Sequence, residues 1–164
     1  MNLRKLQAPL KAQYREQPEA AFITLHAEAS QDTPISCSVD LGRAIHAAEA
    51  HAGVGGTGAG ACSGDLLLGA LAACAQITAQ MVTTSAGIPV KSIRVKVEGD
   101  LDLRGTLGVS REVPVGFQAI RLSFEVTAPD ADDREIARLR RLTEQYCVVM
   151  QTLLNPPPIE VTWS

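Results

Sequence analysis

The chain has 164 residues, of which 46% are hydrophobic and 20% charged, with a formal charge of −3. That length suits one domain, in which folding buries roughly 70% of the surface an unfolded chain exposes, and the composition excludes wholesale disorder. The negative balance argues against a basic surface that tracks phosphates, so nucleic acid is not an expected partner.

Aromatic residues make up only 4% of the chain, so the core must be built from aliphatic side chains. The first residues scatter their charges and lack the apolar stretch of a secretory signal. The longest apolar run, Leu66 to Ala75, is about half the ~20 residues of a membrane span, so no membrane partner is expected. A cytoplasmic location is therefore expected. In a reducing compartment the four cysteines are expected to be thiols, ligands or redox centres rather than permanent cross-links.

In chain order, Leu6 to Tyr14 and Ala21 to Ala27 are short apolar stretches around the polar break Arg15 to Glu19, the pattern of a hairpin. Residues Ile35 to Leu41 alternate strictly, as a half-buried strand does. Gly42 to Ala61, rich in alanine and then glycine, is a connector. Ser63 is placed to cap the following helix, with Asp65 in the first turn where a carboxylate complements the dipole. Leu67, Leu71, Cys74 and Thr78 share one face of that helix, and Gly87 and Pro89 close it.

Ile93, Val95 and Val97 then alternate with charged residues, as do Ile120, Leu122, Phe124 and Val126. Ile136, Leu139, Leu142, Tyr146, Val149 and Leu153 give a second helix its buried stripe, which Pro156 to Pro158 must end. Ile159 to Trp163 reads as a terminal strand. The order is βββ-α-ββ-α-β in a single domain spanning residues 1–164. Grouped strands of this kind indicate an α+β fold rather than a doubly wound parallel sheet.

Gly53, Gly55 and Gly58 spell a formal dinucleotide fingerprint, but no strand precedes it and no helix opens directly after it, so no cofactor is expected. His26, His46 and His51 have no metal-ligand spacing and no C-x-x-C occurs, so no metal is expected either; a site made of Cys62 with His51 is the weaker alternative. The cysteines remain. Cys37 alternates within a strand and reads as structural, while Cys74 and Cys147 sit among apolar helix residues, where a cysteine usually packs as a small hydrophobe. Cys62 stands just ahead of a helix start, where the dipole favours a thiolate, and on electrostatics alone it would be the most acidic of the four.

These same residues carry a family resemblance. CSGDLLLGALAAC from Cys62 to Cys74 resembles the cysteine helix of the OsmC/Ohr family, the OsmC-like proteins of organic hydroperoxide resistance. GIPV at 87–90 with VKVEGDLD at 95–102 resembles the strand that follows, and LTEQYCVV at 142–149 resembles the second cysteine segment. The resemblance implies a thiol-dependent hydroperoxide reductase serving oxidative stress defence. Cys74 would be the nucleophile, Cys147 the resolving thiol and Arg15 the activating cation; outside the family pattern, Cys62, Asp65 and His51 are candidate accessory residues.

It also implies an intertwined homodimer with its sites at the subunit interface, a hydroperoxide substrate and an external dithiol reductant. The chain departs from the family pattern at Gly64, where the Ohr branch carries a glutamate, and at Val148, where proline is common. Those departures keep open a second reading, a non-catalytic OsmC-like protein that binds a small hydrophobic ligand at the dimer interface.

Overall fold

Leu3, Leu6, Leu10 and Tyr14 recur every three or four residues, and the chain there forms a helix, α1 (Leu3–Glu16), not the first arm of a hairpin. The helical period outweighs the local apolar density that suggested a strand. Pro9, which biases against helix, lies on the exposed side of α1. The computed structural model describes residues 3–33, 36–40, 50–58 and 61–163. After a single 3-10 turn at Pro18–Ala21 come β1 (Phe22–Thr33) and β2 (Ser36–Asp40), the latter carrying Cys37. His46 and half of the expected connector lie outside the described residues.

A second 3-10 turn, Ala52–Val54, leads to α2 (Ser63–Ala86), β3 (Ser92–Asp102), α3 (Leu103–Thr106) and β4 (Ala119–Thr127). The chain continues through α4 (Asp133–Tyr146) and α5 (Val148–Leu154). The four strands form one antiparallel sheet in the order β2-β1-β3-β4. The α+β class therefore holds, while the expected order changes at both ends of the chain. Ile159 to Trp163 pairs with no strand among the described residues; Ile159 is 86% and Trp163 92% exposed. Alternation alone does not make a strand when no ladder receives it.

α2 packs across β1 and β3, with α4 and α5 against its flank. Leu68, Leu71, Ala72, Ala75 and Ala79 are buried with Ile93, Val95 and Val97 in the main core. Full burial of a residue such as Leu68 contributes roughly 1.5–3 kcal/mol. By length and composition α2 would suffice to cross a membrane; in this fold it is the central helix. It ends at Gly87, whose φ of 66° is the left-handed cap the sequence suggested. Its N-cap is Cys62, one residue before the expected Ser63.

On the outer face of the sheet, Arg94 pairs with Glu28, Lys96 with Glu98, and Arg121 with both Glu98 and Asp100. The Arg121 guanidinium and the Thr24 hydroxyl hold the Asp100 carboxyl down at about 2. A smaller cluster lies apart, where Leu10 and Tyr14 of α1 meet Ala21, Leu103 and Leu107. Tyr14 donates to the carbonyl of Gly53 (2.8 Å) and Gln7 to that of Val54 (2.9 Å), which fastens α1 to the glycine-rich turn. A Cβ on Gly56 would fall 1.6 Å from the Ala50 carbonyl oxygen, so the turn needs glycine there for backbone closeness rather than for a phosphate.

Candidate thiol site

The second cysteine segment departs most from a plain helical reading. A single helix from Ile136 to Leu153 is expected from the apolar stripe, yet the chain breaks at Cys147. Cys147 has extended dihedrals (φ −70°, ψ 102°) and serves as C-cap of α4 and N-cap of α5 at once. Its amide still donates to Thr143 (3.0 Å) and its carbonyl accepts from Gln151 (2.9 Å), while the Gln151 side chain reaches back to the Glu144 carbonyl (2.8 Å). The β-branched pair Val148 and Val149, poor in helix propensity, is the sequence signal that marks the break. The start of α4 is held firmly: Asp132 and Glu135 exchange hydrogen bonds of 2.8 and 2.9 Å, a capping box, and such a cap is worth about 1 kcal/mol.

The break turns the Cys147 sulfur inward. The residue is fully buried in the main core, and its S–H donates to the Cys74 sulfur, from the middle of α2. Burial pushes the Cys147 thiol up to about 11. The Met150 amide at the start of α5 pulls it back, and the hydrogen bond and charge of Cys74 add to the rise. Cys147 therefore holds its proton at neutral pH, and ionisation at Cys74 makes the proton on Cys147 harder to lose. Cys74 itself is only partly buried and packs at the edge of the core. Two thiols 73 positions apart in sequence thus meet across α2 and the α4–α5 junction.

The other expected residues lie elsewhere. Arg15 is exposed on the last turn of α1, beside the Tyr14 cluster, and no hydrogen bond or ion pair joins it to either thiol among the described residues. It stands on a helix, not in a hairpin loop. His51 organises the glycine-rich turn: its Nδ1 accepts from the Gly53 amide at 3.0 Å. Asp65 accepts from the Cys62 amide at 3.2 Å and so closes the first turn of α2.

The lowering expected for Cys62 at a helix start is outweighed by burial. Cys62 is 7% exposed, and its burial raises the thiol. The amides of Gly64 and Asp65 lower it, but the Asp65 carboxylate opposes them and the rise prevails. No group of three His, Cys, Asp or Glu side chains converges as a metal site among the described residues.

Reading the sequence missed two buried polar groups near the thiols. Gln76 and Gln80 lie in the core on α2, where Gln76 donates to Gln80 (2.7 Å) and to the Ile93 carbonyl (3.1 Å). Thr143, 2% exposed, is the second. Both fall inside apolar helical stripes, where a polar residue every third or fourth place reads as surface.

An antiparallel α+β sheet crossed by one long apolar helix, with a thiol of that helix touching a thiol at a helix junction, defines a class of two-cysteine α+β proteins. The chain matches the family model described as OsmC-like protein over residues 56–162, and it belongs to that family. Its fold is similar to that of an OsmC-like hydroperoxide resistance protein from Jannaschia sp. CCS1 (TM-score 0.58, 12% identity, covering 85% of this chain and 91% of that one). No curated protein matches the chain.

Proposed function

We propose that this protein reduces organic hydroperoxides through Cys74 and Cys147 and so contributes to peroxide resistance. The observation that carries this reading is the contact between the two thiols, one at the edge of the core and one fully buried with its proton retained. The Cys74 thiolate attacks a peroxide oxygen, forming an S–O bond as the O–O bond breaks. The alkoxide leaves and takes up a proton as the alcohol. Cys147 then attacks the sulfenic sulfur, an S–S bond forms and hydroxide departs as water. An external dithiol restores both thiols by exchange. Likeness to a hydroperoxide resistance protein and membership of the OsmC-like family support the same substrate class.

The working unit in this reading is a homodimer. Tyr146 and Val148, which flank Cys147, are 59% and 70% exposed, and Met81, two turns beyond Cys74, is 52% exposed. A second copy that covers this apolar surface also brings a cation to Cys74, and Arg15 of that copy is the residue we assign. Subunit mixing tests both parts. Cys74→Ser and Arg15→Ala chains, each inactive alone, regain about a quarter of the wild-type peroxide turnover when unfolded and refolded together, because half the dimers then hold one complete site. No recovery rejects Arg15 in trans, and full activity of Cys74→Ser rejects the mechanism.

A further inference from the structure

Along α4, Arg134, Arg138 and Arg141 stand at positions i, i+4 and i+7, so they form a row about 10 Å long on one face. That face lies nearly opposite the buried Leu139 and Thr143, and all three arginines are exposed. Their side chains make no ion pair or hydrogen bond among the described residues, whereas Arg94, Arg104, Arg121 and Arg140 each hold a carboxylate. The acids nearest to the row along the helix are engaged elsewhere: Glu135 in the capping box and Glu144 with Arg140. Like charges at this spacing repel and weaken a helix. An uncompensated cationic row in a chain of formal charge −3 therefore fits an array of carboxylates on another molecule.

The row is tied to the thiols. Arg138 also lines a groove of 320 Å³ between α2 and α4, whose walls include Thr78, one turn from Cys74, and Tyr146, next to Cys147. The apolar surface assigned above to a second copy, Met81, Tyr146 and Val148, does not include the row.

We propose that the dithiol which restores the thiols belongs to an acidic protein, whose carboxylates dock on Arg134, Arg138 and Arg141. The inference rests on the two-cysteine reading above. Cys147 is closed by burial, so exchange starts at the sulfur of Cys74. A thiolate of the reductant attacks that sulfur, the bond between Cys74 and Cys147 breaks, and Cys147 leaves and takes up a proton. The second thiol then attacks the mixed disulfide, Cys74 departs as a thiolate, and the reductant ends as a disulfide. Three cations in one short row are too few to hold a membrane or a nucleic acid on a net-negative chain. They suffice to steer and orient an acidic protein.

The test reduces the peroxide-oxidised full-length protein with three dithiols. They are dithiothreitol, a peptide whose Cys-x-x-Cys pair is flanked by four glutamates, and the same peptide with four glutamines. Each peptide rate is divided by that peptide's rate with a small neutral disulfide, which removes the effect of the glutamates on their own thiols. Uncharged dithiothreitol reports for each variant that the disulfide forms and can be reduced. At low salt the glutamate peptide is about tenfold faster than the glutamine peptide, and about 0.5 M salt erases the difference. Arg134→Gln, Arg138→Gln and Arg141→Gln together remove the advantage, and lysine at the same three positions restores most of it.

Equal peptide rates, or an advantage that survives the triple glutamine variant, overturn the docking while dithiothreitol still works. A protein that peroxide does not convert to a disulfide fails the two-cysteine reading itself, and the docking falls with it. Sedimentation with phosphatidylserine vesicles that the glutamine variant loses assigns the row to a membrane. Dissociation of a dimer by that variant assigns it to a second copy. Either result overturns the proposal.

Discussion

Cys62 and Cys147 occupy the same kind of place. Each stands immediately before a helix, each is buried, and each has its thiol raised by that burial while amides of the next turn pull the other way. They differ in their neighbour. Beside Cys62 is the Asp65 carboxylate, which caps the helix and repels a thiolate; beside Cys147 is the Cys74 thiol. The helix dipole alone does not make a sulfur reactive when burial opposes it. The chemistry is decided by what the second sulfur faces: a fixed negative charge in one case, a partner able to form a bond in the other.

Substitution breaks the comparison most sharply. Cys147→Ser leaves Cys74 without a resolving thiol, and steady-state peroxide turnover with a dithiol falls at least about 100-fold, whereas Cys62→Ser stays within about twofold. A parallel loss in both variants, followed by peroxide consumption, would make the two sites equivalent and defeat the distinction.

Alkaline titration sharpens it next. The Cys147 thiol lies near 11 when folded against an ordinary value of 9, so the folded chain keeps a proton that the unfolded chain loses. Stability present below pH 9 is therefore lost as pH rises towards 11. The melting temperature of Cys147→Ala should fall less over that window than that of the wild type. Parallel curves for the two proteins would contradict the shift.

The smallest effect is at the other cysteine. Asp65→Asn keeps an acceptor for the Cys62 amide but removes the charge, so alkylation of Cys62 at mildly alkaline pH speeds up several-fold. An unchanged rate would mean that burial alone governs that thiol.

Much of this arrangement was legible in the residues. Strict alternation at Ile93 to Val97 and Ile120 to Val126 placed β3 and β4, and the run from Cys62 to Gly87 placed α2 with both its ends nearly right. The misreadings have physical causes. Leu10 and Tyr14 obey the helical period, but a nine-residue apolar stretch ahead of a polar break imitates a strand. Ile159 to Trp163 alternates without a partner, because pairing is a property of the sheet rather than of the segment.

Of the site, the two cysteines could be singled out by resemblance, yet their contact is a matter of packing across 73 positions that no local pattern reveals. The break at Cys147 leaves only the weak mark of two valines. Thr143, inside an amphipathic stripe, leaves none.

The most direct test of the central claim is peptide mapping under non-reducing conditions after one equivalent of an alkyl hydroperoxide. The account predicts one cross-linked peptide pair joining Cys74 to Cys147, with Cys62 still open to alkylation after unfolding. A cross-link containing Cys62, or four alkylatable thiols after the peroxide has been consumed, would contradict it.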